Sequence, residues 1–468
     1  MIIEQIYTGC LAQGAYYIES NGEVAIIDPL REVQDYIDRA ENNNAKIKYI
    51  FETHFHADFV SGHVTLAEKT GAKIVYGPTA KTSFDAIIAE DNQVFKVGDI
   101  TITLLHTPGH TMESSCYLLK DENGKDHALF SGDTLFLGDV GRPDLAQKGD
   151  ITEKDLAGFL FDSLRNKVMP LADDVIVYPA HGAGSACGKN LSKETVGTIG
   201  NQKETNYALR ADMTKEEFVK EVTDGLLPPP AYFPLNVQMN KEGYQDIEDV
   251  IKNSAKPLSV NDFEIIANET DAIILDVRHQ SEFIKGFIPQ SIFIGVDGGF
   301  APWVGALIKD TKQPILLVSE NGREEEVITR LSRVGFDNVL GYLEGSFDSW
   351  KKNDKEYDTL ESVSVDVLEE KIKEKALVFD VRKPGEYASE HIKVAESTPL
   401  DFLNKHISDF PKKQEFYVHC AGGYRSVIAA SILKARGFHN VIDVAGGYAA
   451  IRNTNIERTD AVCPSTLK

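Results

Sequence analysis

Four short apolar runs in the first part of the chain each stop at a histidine or aspartate set close to glycine, proline or threonine. Ile47 to Phe51 leads into Thr53-His54-Phe55-His56-Ala57-Asp58-Phe59, and Ile100 to Leu105 into Thr107-Pro108-Gly109-His110. Ala128 to Phe130 leads into Ser131-Gly132-Asp133, and Val175 to Tyr178 into Pro179-Ala180-His181. Runs of this length read as buried strands, and the Gly and Pro that follow read as loops. Imidazoles and carboxylates are ligands for metal ions. One His-x-His-x-Asp is a weak signal, but four strand ends carrying such groups in order constrain the fold. They read as four strand ends that face one cavity.

The pattern resembles the metallo-β-lactamase superfamily, whose motif is His-x-His-x-Asp-His followed at a distance by His, Asp and His. The match covers residues 1–245 and implies an αββα sandwich. One position departs from it. Phe59 stands where the superfamily has the His of an Asp-His pair, and phenylalanine cannot coordinate. A two-metal site loses a ligand there, so one metal per chain is expected. The resemblance gives that site His54, His110 and Asp133, with His56, Asp58 and His181 around it. Two imidazoles and a carboxylate with open positions suit mononuclear Fe(II), and the same donors also bind zinc. This is the ligand set of the persulfide dioxygenases, which the domain resembles. Those enzymes have a Gly-Arg-x-Asp segment beside the iron, and here Gly141-Arg142-Pro143-Asp144 matches it. Arg142 is thereby expected to hold the anionic part of the substrate or to order the metal's surroundings. The bland alternative is a structural Arg142–Asp144 ion pair. The Gly-rich stretch after His181 carries Cys187, either a thiol that takes or relays sulfur or an inert buried one.

Local signals frame the domain. Asn21-Gly22 between two apolar runs predicts a two-residue hairpin, and a helix is expected over Val33 to Glu41. Thr214-Lys215-Glu216-Glu217 predicts a capping box opening a helix through Val222. Leu227-Pro228-Pro229-Pro230 ends it, and residues from there to about Lys256 read as an irregular wrap and linker.

Two repeats follow. Ile274-Leu275-Asp276-Val277-Arg278 and Glu282-Phe283 reappear as Val378-Phe379-Asp380-Val381-Arg382 and Glu386-Tyr387, and Gly335-Phe336-Asp337-Asn338-Val339 as Gly437-Phe438-His439-Asn440-Val441. Each copy resembles a rhodanese domain, over 256–357 and 362–456. The copies differ at one loop. In the second, Phe416 to His419 runs into Cys420-Ala421-Gly422-Gly423-Tyr424-Arg425-Ser426 and an apolar helix. A thiol at a strand end, ringed by backbone N–H groups and facing a helix N-terminus, is steadied as thiolate. Rhodaneses use this loop for sulfur transfer. The resemblance makes Cys420 the sulfur carrier, with Gly422, Gly423 and Tyr424 of the loop binding the substrate and Arg425 stabilising its anions. The first copy has the acidic run Ser319-Glu320-Asn321-Gly322-Arg323-Glu324-Glu325-Glu326 there and no cysteine. It reads as a scaffold between the metal domain and the second copy, or as an oligomer contact.

The net charge of −23 argues against nucleic acid and anionic membrane as partners. Five scattered cysteines, Cys10, Cys116, Cys187, Cys420 and Cys463, suit a reducing cytoplasm rather than a disulfide framework. Neither a signal peptide nor an apolar run of the ~18 residues needed to span a membrane is visible. The whole order resembles persulfide dioxygenase–sulfurtransferase fusions. That implies oxidation of a glutathione, coenzyme A or similar persulfide by O2 to sulfite, then sulfur transfer to sulfite giving thiosulfate, in a homodimer or homotetramer. A second reading is a thioester hydrolase similar to glyoxalase II with accessory rhodanese units, and a third is a sulfide-responsive binding or scaffold protein with a degenerate metal domain.

Overall fold

The computed structural model describes residues 1–147, 150–189 and 191–462, so Cys463 lies outside the described residues. The chain divides into two compact units, residues 1–249 with 332–335, and the remainder.

In the first unit two six-stranded sheets face each other. One runs in the order Ile2–Thr8, Gln13–Ser20, Glu23–Ile27, Lys46–Phe51, Lys73–Tyr76, Ile87–Ile88. The other runs Gly197–Thr198, Ile176–Pro179, Asp126–Gly132, Ser115–Lys120, Ile100–His106, Val94–Val97. Side chains alternate with the period of two that a strand imposes. Tyr16, Ile18 and Phe51 meet Ile102, Leu104 and Phe130 between the sheets. Ala15, Tyr17 and Ile50 turn outward onto the helices Gln34–Asn42 and His63–Thr70. Leu118 and Leu129 turn outward onto the helices Glu153–Ser163 and Lys215–Thr223. Several strands are therefore buried on both faces, which is why they read as continuous apolar runs. Each fully buried Ile or Phe contributes roughly 1.5–3 kcal/mol. The layers are helix, sheet, sheet, helix, as the resemblance implies.

The local signals have structural counterparts. Asn21 and Gly22 both take positive φ, 45° and 76°, as a tight hairpin requires. Thr214 and Glu217 cap each other reciprocally. The stretch read as an irregular linker differs, since it holds two helices, Phe233–Glu242 and Ile247–Ser254. Pro234 sits in the first turn of the former, where its missing N–H has no partner to lose. Proline there starts a helix rather than excluding one.

The second unit contains two five-stranded parallel sheets of one topology. The first is ordered Pro257–Leu258, Val339–Leu343, Ile315–Val318, Ile273–Asp276, Ile292–Phe293. The second is ordered Ser362–Val363, Val441–Val444, Phe416–His419, Leu377–Asp380, Ala395–Ser397. The repeated Asp-Val-Arg builds one device twice. Arg278 pairs with Asp276 at 2.6 Å and donates to the Gly286 carbonyl at 2.8 Å. Arg382 pairs with Asp380 at 2.6 Å and donates to the Glu390 carbonyl at 2.8 Å. Both pairs are buried and clamp a strand end to the loop after it. Asp380→Ala is expected to destabilise its copy by about 3–5 kcal/mol, because Arg382 stays charged and buried without its partner. Urea unfolding checks this, and an unshifted midpoint would contradict it.

Candidate metal centre and cysteine loop

The four strand ends converge. His54, His56 and Asp58 follow Lys46–Phe51 of the first sheet, and His110, Asp133 and His181 follow three strands of the second. All six are buried. His110 Nε2 lies 3.4 Å and His54 Nε2 3.8 Å from Asp133 Oδ2. His54, His110 and Asp133 each bring one donor atom within 4.8 Å of the others, and so do His56, Asp58 and His181. His181 Nε2 is 3.4 Å from Asp58 Oδ2 and 3.6 Å from Asp133 Oδ1, so Asp133 faces both groups.

Hydrogen bonds fix which atoms face inward. Thr53 spends its hydroxyl proton on Asp28 Oδ2 at 2.8 Å. Its oxygen therefore accepts from His54 Nδ1 at 3.0 Å, which leaves the lone pair on His54 Nε2. His110 Nδ1 donates to the Arg142 carbonyl at 2.8 Å, leaving its lone pair on Nε2 as well. Burial, then His56, His110 and His181, hold the His54 imidazole neutral, well below its ordinary range. His54 Nε2, Asp58 Oδ1, both Asp133 oxygens and both ring nitrogens of His181 are buried with no hydrogen-bond partner. Buried polar atoms are seldom left so. Two imidazole nitrogens turned toward a carboxylate fit a bound cation.

Around this centre His56 packs on Phe59, rings 4.3 Å apart, and the phenyl ring offers no donor atom. His56 Nε2 lies 3.1 Å from Asp28 Oδ1 and 3.6 Å from Glu52 Oε2. Burial opposes its protonation, but Asp28, Glu52 and Asp58 together outweigh that and raise its pKa to about 9. Arg142 pairs with Asp144 through Nε at 2.7 Å and Nη2 at 2.8 Å, and also donates to the carbonyls of Ala186 and Leu227. Its side chain is thus engaged in the ion pair, while its carbonyl orients His110. Cys187 is buried, with its sulfur in one group with Asp133 and His181. Burial, then Asp58 and Asp133, push its thiol well up.

Sequence reasoning missed Asp28, Glu52, His63 and Asn240. Asp28 ends the strand Glu23–Ile27 beside Pro29 and fits the same strand-end pattern. Glu52 lies between His56 and His63, 3.6 and 3.5 Å away, and accepts from Ser61. Asn240 ties down the loop by donating to the carbonyls of His56 and Phe59, both at 2.8 Å, and accepting from Ser61 N at 2.9 Å.

Residues 8–181 match the model of the metallo-beta-lactamase superfamily. The hydroxyacylglutathione hydrolase GloC of Haemophilus influenzae is 30% identical over 187 residues, 35% of this chain and 82% of its own. The chain belongs to the metallo-beta-lactamase superfamily. A probable hydroxyacylglutathione hydrolase, glo2 of Schizosaccharomyces pombe, is 33% identical over 161 residues, 34% of this chain. The chain spans 58% of the length of that relative. The crystal structure of a metallo-beta-lactamase from Staphylococcus aureus subsp. aureus COL is 29% identical with a TM-score of 0.64, covering 73% of this chain and 98% of its own. Residues 259–353 and 364–454 of this metallo-beta-lactamase superfamily member match the rhodanese-like domain model. No helix among the described residues is long and apolar enough to cross a membrane.

In the second rhodanese-like copy Cys420 ends the strand Phe416–His419, and the helix Tyr424–Ala435 begins four residues later. Gly423, at φ 102°, turns its N–H onto Cys420 Sγ at 3.1 Å. The loop is anchored from behind by Tyr448 N on the Cys420 carbonyl at 2.7 Å and Ala449 N on the Ala421 carbonyl at 2.9 Å. Gly447 permits that approach, since a Cβ there would stand 2.5 Å from the Cys420 carbonyl oxygen. Gly422 opens on free space. Arg425 forms a bidentate pair with Glu386 at 2.6 and 2.9 Å. In the first copy Ser319 ends the equivalent strand, and Gly322 N donates to the carboxylate of Glu324 at 2.9 Å. An internal anion occupies that loop.

Proposed function

We propose that the chain oxidises low-molecular-weight thiol persulfides with O2 to sulfite in its first unit and passes sulfane sulfur to sulfite at Cys420. The observation that carries this reading is the inward-facing set of His54 Nε2, His110 Nε2 and Asp133 in a chain that also holds the Cys420 loop. Two imidazoles and one carboxylate with open positions are the facial set of non-haem Fe(II) oxygenases. His54, His110 and Asp133 would hold a ferrous ion, which would supply the redox chemistry for oxidising the terminal sulfur of a persulfide with O2. Persulfide, O2 and water then become thiol and sulfite.

The chain's own groups do the rest. Thr53 and the Arg142 carbonyl fix the two imidazole tautomers. Asp58 and His181, across from them, hydrogen-bond the polar atoms of the substrate. Arg142, with Asp144, holds the loop beside the site, and a direct hold on the substrate requires that pair to open. Cys187 places a thiol beside Asp133 and His181; Cys187→Ser with unchanged turnover and product ratio removes it from the reaction. At the second site the Cys420 thiolate attacks the terminal sulfur of a second persulfide and releases the thiol. The Cys420 persulfide anion then gives that sulfur to sulfite, forming thiosulfate and regenerating the thiolate. The Gly423 N–H stabilises the anion, and Arg425 adds positive charge beside the loop. Joining the sites in one chain raises the effective concentration of sulfite at the loop. The carriers we propose are glutathione, coenzyme A or a similar thiol, in the cytoplasm and in a homo-oligomer.

The donors His56, Asp58 and His181 favour a second reading, a two-metal thioester hydrolase like the named relatives. Phe59 argues against it, because it leaves this group one donor short. Oxygen uptake by iron-loaded protein given glutathione persulfide, beside thioester hydrolysis by zinc-loaded protein, separates the two. Uptake without hydrolysis is expected, and hydrolysis without uptake overturns the proposal.

A further inference from the structure

The helix that starts at the cysteine loop is apolar all round, with Val427, Ile428, Ala429, Ala430, Ile432 and Leu433 all buried. A helix of that kind is covered on every side, and here the first rhodanese-like copy covers one of them. Ser431 accepts from Phe293 N at 2.9 Å, and Lys434 donates to the Thr359 carbonyl, beyond the first copy's last helix, at 2.8 Å. The contact nearest the thiol is Tyr424. Its hydroxyl donates to the Gly295 carbonyl at 2.7 Å, and its ring meets Phe293 edge-on at 6.0 Å. Gly298 lies so close that a methyl group in its place would collide with the Tyr424 ring. Tyr424 directly follows Gly423, whose N–H points at Cys420 Sγ. An anchor at Tyr424 therefore sets where that N–H points.

We propose that the cysteine-less copy positions the Cys420 loop by holding Tyr424 between Gly295, Gly298 and Phe293, so that Tyr424 is a positioning residue for sulfur transfer. The first copy then contributes to the chemistry of the second without a thiol of its own. This rests on the sulfur-transfer reading of Cys420, and the test keeps the two apart.

Two variants of the full chain test it. Tyr424→Phe removes only the hydroxyl, and Gly298→Ala pushes the ring aside. The first readout is the pH profile of Cys420 alkylation by iodoacetamide, followed on the Cys420 peptide by mass spectrometry. The second is transfer of sulfur from glutathione persulfide to added sulfite, with kcat and KM separated. Both variants are expected to move the alkylation midpoint to higher pH. Loss of one hydrogen bond corresponds to a fall in kcat of about 3- to 10-fold for Tyr424→Phe, and a larger fall is expected for Gly298→Ala, with KM nearly unchanged. Midpoints and kcat equal to the parent's, even with a lowered melting temperature, would make the contact structural only and overturn the proposal. A shifted alkylation midpoint in a chain that transfers no sulfur would uphold the anchor and reject the sulfur-transfer reading.

Discussion

Cys420→Ser is expected to stop the chemistry at sulfite. Oxygen consumption continues, because the first unit keeps all its donors, while enzymatic thiosulfate formation falls on the order of 10³-fold or more, as when other covalent nucleophiles are removed. Serine preserves the shape of the loop and can still accept from Gly423 N–H, but its hydroxyl neither ionises in the working range nor carries a sulfane sulfur. Quantifying sulfite and thiosulfate together over one time course checks this. Thiosulfate at the parent's rate would mean that sulfite meets persulfide elsewhere and that the loop is a bystander.

Asp133→Ala carries the other large effect. Asp133 faces both donor groups, with Oδ2 toward His54 and His110 and Oδ1 toward His181. Removing even a residue that only supports a ligand typically costs 10- to 100-fold in metal affinity or activity, so loss of Asp133 is expected to cost at least about 100-fold. Elemental analysis after dialysis should find the variant stripped of metal and persulfide-dependent oxygen uptake gone. Transfer of sulfur from persulfide to added sulfite should persist, since Cys420 is untouched. Metal retained at the parent's level would contradict the assignment.

What could be read from the sequence was what neighbours in the chain decide. The turn at Asn21-Gly22, the cap at Thr214 and the paired Asp-Val-Arg clamps rest on residues a few positions apart, and so does the spacing of His54, His56 and Asp58. Strand ends announced His110, Asp133 and His181 because glycine or proline follows or precedes an apolar run there. Asn240 gave no such sign. It holds the His56 and Phe59 carbonyls from a helix late in the unit, and a buried asparagine reads like any surface one. Glu52 and His63 carry no local mark either, since their partnership exists only once the strand and the following helix are packed. Tyr424 shows the same limit in the second unit. Its place in the loop was readable, whereas its grip on Gly295 depends on how two copies of one fold pack together. The helix at Phe233–Glu242 was obscured by proline, which breaks a helix interior and suits a helix start.

The most direct test of the central claim is the balance of oxygen against sulfur in the parent protein, loaded with iron under anaerobic conditions and given glutathione persulfide. The account predicts two persulfides consumed for each O2, with two thiols and one thiosulfate formed and sulfite only transient. Persulfide left untouched and no oxygen taken up, while a glutathione thioester is cleaved by the same protein, would contradict it.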